Sequence, residues 1–386
     1  MEFLQGPSLV VQNDSMFTEA DFKSLASVGQ ASKLDRLATT GRFGLGFNAT
    51  YHLTDTPSFI SGDYAVFFDP HCSFLPGATV NQPGIRIRYP KSDLNRAFAN
   101  QFEPFQHFGF NFSDSYNGTL FRFPLRTPLL AKRSEICRRS YNLQDVYSLL
   151  GQLVDQFAHL CLFLRSVQNI EIYRCPGNIS TPVLLYTSHV STVKKSSYND
   201  QSLFGYFDKS SSAPNTGGCS KESFYSKLMN TPDDRLPWML CSKVIRIEDT
   251  MHKDAKVIPN THERAPCVQL NYEVIQGLCG GGAKALAGNE MARHLKLVPY
   301  GCVASCVSRT VWSSMQEAPV AEDLFPKFPG QLFCFLPLPI STGLPIHINA
   351  YWELSSNRRD IWRGDDTKGE AKLRAGECDI FCCIHI

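Results

Sequence analysis

Glycines at positions 41, 44 and 46 of Gly41-Arg42-Phe43-Gly44-Leu45-Gly46-Phe47-Asn48 leave a stretch of backbone with no side chain to hold another group away. Phe47, Tyr51 and Leu53 follow at near-helical spacing, so the glycines stand where a helix begins. Unpaired N–H groups and the positive end of a helix dipole make such a place a seat for phosphate. A glycine turn before a helix also serves as a packing device, and the pattern alone leaves both readings open. A second glycine run, Gly277-Leu278-Cys279-Gly280-Gly281-Gly282-Ala283-Lys284, lacks the Gly-Lys-Ser/Thr ending of a phosphate loop. It reads as a hinge before a helix over 283–295.

The elements that must position the first loop follow from local pattern. Ser8 to Gln12 reads as a buried strand ended by the turn-forming pair Asn13-Asp14. Thr18-Glu19-Ala20-Asp21 forms a capping box, continued by Phe22, Leu25 and Ala26 as a short amphipathic helix. Ser27 to Thr40 is polar, mixed in charge and weakly periodic, as a mobile segment would be. Phe59–Asp63 and Tyr64–Asp69 read as a hairpin turning at Gly62-Asp63. Asn117-Gly118-Thr119 opens a strand to Leu125, and apolar residues at steps of three and four predict a helix over Leu143–Leu164. Val167–Tyr173, Trp238–Ile247, Val268–Val274, Pro299–Val307, Gln331–Leu336 and Pro345–Tyr351 read as further strands, and the polar stretch Ser196–Asp234 as a long loop. Strands with segregated helices predict an α+β chain rather than alternating βαβ units.

The chain has 386 residues, 19% of them charged and 43% hydrophobic, which predicts globular domains. A formal net charge of +2 with mixed signs gives no footprint for nucleic acid. No apolar run approaches the roughly 20 residues of a membrane span, and the start, Met1-Glu2-Phe3-Leu4-Gln5-Gly6-Pro7, has no signal-peptide pattern. The 14 cysteines lack metal-ligand spacing and read as reduced core residues of a cytoplasmic protein. The asparagine sequons then carry no meaning.

The order of these signals resembles the GHKL ATPases, which include gyrase, the ninety-kilodalton heat-shock chaperone, histidine kinases and MutL. Within them it is most similar to the repeat units of sacsin, a very large co-chaperone. Gln5-Gly6-Pro7, Gly41–Asn48, Tyr51–Asp55, Asp69-Pro70-His71, Phe121–Arg126, Ser166-Val167-Gln168, Leu336–Pro339, Thr342–Ile348 and Asn357-Arg358-Arg359 carry the resemblance, which runs over about residues 5–374. It implies a Bergerat-type α/β sandwich over residues 1–174, a second α+β domain over 175–374, and a divergent tail over 375–386.

The resemblance also implies an ATP pocket. Gly41, Gly44 and Gly46 would offer backbone N–H groups to the phosphates in a binding loop that includes Arg42, Phe43 and Leu45, and Phe47 would wall the base. Thr119 would take the part of the family threonine that helps read adenine, and Asn13 or Asp14 that of its aspartate. Lys33 would meet a phosphate from the lid-like segment, against the plain alternative of a solvated charge. Arg358 or Arg359 would reach the γ-phosphate, since a guanidinium matches phosphate oxygens; an ion pair with Asp360, Asp365 or Asp366 is the plain alternative. Two departures stand out. The family's Asp-x-Gly-x-Gly is here Gln12-Asn13-Asp14-Ser15-Met16, and the first family helix, with its magnesium-binding asparagine and water-activating carboxylate, is expected to be missing. Without those groups a triphosphate keeps its charge and its attacking water has no base. The expectation is a chaperone or co-chaperone module that binds ATP weakly, with magnesium only if that helix is supplied, and that meets client proteins or other chaperones. The alternatives are an ATP hydrolase completed by a partner segment and an interaction scaffold that binds no nucleotide.

Overall fold

The computed structural model describes residues 6–26, 46–90, 92–93, 102–164, 166–176, 181–195, 226, 229–230, 241–259, 261, 264–278, 284, 288–290, 300–314, 317–322, 329–352, 354 and 360–361. These form an α+β chain that divides into two compact units.

The first unit is built on β1 (Ser8–Asn13), β2 (Ser58–Gly62), β3 (Tyr64–Phe68), β4 (Gly84–Arg88) and β5 (Tyr116–Pro124), in the order β1-β5-β2-β3-β4. Every neighbouring pair in it is antiparallel. Period-two alternation gives the sheet two different faces. Leu120, Ile60 and Ala65 point to one side and pack with Tyr89, Phe102, Phe105, Phe110 and Tyr116. Phe121, Phe59 and Tyr64 point to the other, where Phe17, Phe22 and Phe47 join them.

Local chemistry accounts for the boundaries. The β2–β3 turn is Gly62-Asp63, and Gly62 takes φ +55°, a left-handed conformation that glycine adopts without strain. Helix α1 (Glu19–Ala26) begins at the expected capping box: Thr18 N–H donates to Asp21 Oδ2 (2.9 Å), and Asp21 N–H donates to Thr18 Oγ1 (3.3 Å). Helix α2 (Pro128–Arg133) has Thr127 as N-cap and proline at its first position. Helix α3 (Leu143–Leu160) opens on a reciprocal Asn142–Asp145 cap and ends one turn before the expected Leu164. Gly151, Val154 and Phe157 are its buried residues among those described, whereas Leu149 and Leu153 of the apolar periodicity stay exposed.

The second unit takes the latter part of α3 and a nine-stranded sheet. Its strands are β6 (Asn169–Arg174), β7 (Val183–Lys195), β8 (Cys241–Met251), β9 (Cys267–Leu278), β10 (Tyr300–Trp312), β11 (Val320–Glu322), β12 (Gln331–Cys334), β13 (Leu336–Ser341) and β14 (Ile346–Ala350). They run β13-β12-β14-β10-β9-β8-β7-β6, with β11 beside β10 and β12–β14 as a parallel pair. Ile245, Ile247, Leu270, Tyr272, Val274, Phe163 and Phe333 form its core. Gly277 and Leu278, expected in a hinge, are strand residues paired with Gly301 and Tyr300. Most of the rest of that glycine run, the segment Ser27–Thr40, nearly all of Ser196–Asp234 and the tail lie outside the described residues.

Candidate functional site

Of the residues expected to form a site, Asn13, Asp14, Gly46, Phe47 and Thr119 are described, and all belong to the first unit. Lys33, Gly41, Arg42, Phe43, Gly44, Leu45, Arg358 and Arg359 lie outside the described residues.

Strand order explains what gathers there. The chain leaving β1 at Asn13 must cross the ends of β5 and β2 to reach α1, and one buried hydroxyl pins it at each strand. Thr119 on β5, fully buried, donates from Oγ1 to the Ser15 carbonyl at 2.6 Å. Ser61 on β2, 2% exposed, accepts from the Phe17 N–H at 2.8 Å. The two hydroxyl oxygens are themselves 2.8 Å apart. Asn13 closes the start of the turn by accepting from Ser15 N–H at 3.0 Å, an Asx turn. Asn13 lies opposite Thr119 in the ladder, and the preceding residue of β5, Gly118, takes φ +154°. A Cβ on Gly118 would stand 2.6 Å from the Asn13 carbonyl oxygen, so only glycine admits this approach. The turn therefore holds Asn13 and the exposed Asp14 at a fixed corner of the sheet. In this arrangement the Thr119 hydroxyl faces its own chain.

An aromatic floor continues from that corner. Phe17 packs on Phe59 (4.8 Å between ring centroids) and Phe22 (5.4 Å), and Phe47 on Phe68 (5.2 Å), with Phe121 touching both groups. The Arg86 guanidinium lies 4.6 Å over the Tyr64 ring and pairs with Glu19 at 3.0 Å, tying α1 to β3 and β4.

Phe47 starts a six-residue 3-10 helix, Phe47–His52. Gly46 before it has φ −59° and open space where a Cβ would stand. Among the described residues, then, nothing requires glycine at 46. The other end of the helix is fixed by Arg126. Its fully buried guanidinium donates to the carbonyls of Tyr51 (2.6 Å) and His52 (2.8 Å), and doubly to Asp55 Oδ1 (2.6 and 2.9 Å). Ser134 donates to the same carboxylate oxygen at 3.0 Å. A guanidinium suits this task because its fork serves several acceptors in one plane.

Ser61, Gly118, Asp55 and Arg126 were not anticipated as site residues. Arg126 and Asp55 ended two of the motifs that carried the resemblance, so their signal was present without a role. Ser61 had none, because its place beside Thr119 exists only once β2 pairs with β5. Among the described residues no cluster of three or more His, Cys, Asp or Glu side chains could hold a metal ion.

The sacsin domain family matches residues 1–187. Sacsin of Homo sapiens is 30% identical over 369 residues, which cover 95% of this chain. The chain spans 7% of the length of that relative.

Proposed function

This chain carries a sacsin-type repeat unit, and from that premise we propose that it is a chaperone or co-chaperone module whose first unit holds an adenine nucleotide. The base would stand at the Asn13–Asp14 corner, steadied from below by Thr119, with Phe47 beside it. The phosphates would lie along Gly41–Gly46. One observation supports this reading above the others: the stapled turn presents the exposed Asp14 carboxylate, an acceptor suited to a base amino group, at a corner that the fold makes rigid. Binding is weak in this proposal, because Gln12-Asn13-Asp14-Ser15-Met16 lacks both glycines of the family's Asp-x-Gly-x-Gly. Magnesium would accompany the nucleotide only where further residues supply its ligands. The cysteines whose side chains are described are free thiols, as a cytoplasmic module would have, and no described helix is long and apolar enough to cross a membrane.

The test is a thermal-shift titration of the full chain with Mg-ATP and ADP. A ligand at a hundred times its dissociation constant stabilises the folded state by roughly 2.7 kcal/mol, so the parent should shift and Gly44→Val should not. Absence of any shift would refute nucleotide holding. It would favour the scaffold reading, which draws on the Thr119 hydroxyl being satisfied by the chain itself. Turnover that appears only when a partner segment is added would favour the completed hydrolase.

A further inference from the structure

The hydroxyls of Ser61 and Thr119 have two protons for three acceptor contacts, and counting them fixes the direction of the network. The Ser15 carbonyl can only accept, and at 2.6 Å it takes the Thr119 proton. The 2.8 Å contact between the hydroxyls must then use the Ser61 proton, since two oxygens that close without a hydrogen repel each other. The Gly118 carbonyl, 3.2 Å from Ser61 Oγ, is the weaker competitor for it. Phe17 N–H fills a Ser61 lone pair at 2.8 Å. The result is a one-way relay from Phe17 N–H through Ser61 and Thr119 to the Ser15 carbonyl, beginning and ending on the same turn. Bonds in such a chain polarise one another, and its shielding from water raises the cost of breaking any member.

We infer that Ser61 is a positioning residue for recognition of the base: through Thr119 and Phe17 it sets the Asn13–Phe17 turn, and so the place of Asn13 and Asp14. The inference rests on the nucleotide reading above. Ser61 touches no ligand itself. Without its hydroxyl, Phe17 N–H loses its acceptor and Thr119 its donor, so the turn can leave the sheet at two of its anchors. The glycine loop that would hold the phosphates is not part of the relay. Loss of Ser61 should therefore weaken binding of a whole nucleotide and spare binding of its phosphate tail.

Calorimetric titration of the full chain with ATP and with inorganic tripolyphosphate tests this. Ser61→Ala should weaken ATP by about tenfold and leave tripolyphosphate unchanged, and Ser61→Thr, which keeps the hydroxyl, should restore ATP. Equal weakening of both ligands, or of neither, would overturn the positioning role while leaving the nucleotide reading in place. A parent that binds neither ligand would overturn the nucleotide reading and this inference with it. Hydrogen exchange at the Phe17 amide checks the relay without any ligand. It should be slow in the parent and in Ser61→Thr and fast in Ser61→Ala; equal rates in all three would disprove the relay.

Discussion

Replacing Arg126 with methionine should destabilise the first unit by about 3–5 kcal/mol, the usual effect of removing one partner of a buried ion pair. Among the described residues the Asp55 carboxylate, 6% exposed, would keep only the Ser134 hydroxyl, and the Tyr51 and His52 carbonyls would lose their guanidinium donor. Native stabilities lie near 5–15 kcal/mol, so the loss would remove a large share of the total. Urea unfolding followed by a probe in the first unit should show the midpoint falling steeply. Replacing both partners, as Arg126→Met with Asp55→Leu, should recover much of the loss, because an apolar pair carries no stranded charge. A single-variant loss under about 1 kcal/mol would mean that the pair behaves like a surface salt bridge, and would contradict its role as the anchor of the 3-10 helix.

The second large effect is an acid sensitivity of the second unit. His159, near the end of α3, and His347, on β14, face each other with ring centroids 4.7 Å apart. The rings of Phe333 and Tyr272 lie 5.5 and 5.7 Å from that of His347. Burial, with the neighbouring His159 second, pushes His347 down to about 3, and burial lowers His159 as well. Both histidines thus take up protons more readily when unfolded than when folded, and His347 stays neutral in the folded chain well below pH 5. Their contribution is present above the ordinary histidine value near 6.5 and is lost as pH falls below it. From pH 7 to pH 5 His347 alone should remove about 2 kcal/mol, and His159 adds to this. Asp249 works in the opposite direction, since burial raises its carboxyl and favours the protonated form at low pH. The measurement is therefore the difference in stability between the parent and His347→Gln at each pH. That difference should shrink as the solution is acidified, and a constant difference would contradict a buried, neutral His347.

Much of the first unit was legible because its signals are local. The Thr18–Asp21 cap, the Gly62-Asp63 turn, the strands at Ser8 and Gly118, and α3 each announce themselves within a few residues. The unexpected elements depend on distant partners. β4, with its exposed arginines, and β7, long and mixed in character, are strands because of the neighbours they pair with. The hinge reading of Gly277 failed for the same reason: its propensity favours a turn, but pairing with Gly301 holds it in a strand. At the site, Thr119, Asn13 and Asp14 could be singled out by resemblance, yet Ser61 becomes visible only through the register that sets it beside Thr119. Arg126 shows a related limit. A sequence can present an arginine in a recurring motif without revealing that the residue is buried and serves carbonyls rather than phosphate.

A crystal structure of the full chain grown with ADP tests the central claim most directly. The base should lie against the Asn13–Asp14 corner, with the Ser15 carbonyl still held by Thr119 and the phosphates along the backbone of Gly41–Gly46. ADP bound elsewhere, or a glycine loop packed shut by side chains with no nucleotide beside it, would contradict the account.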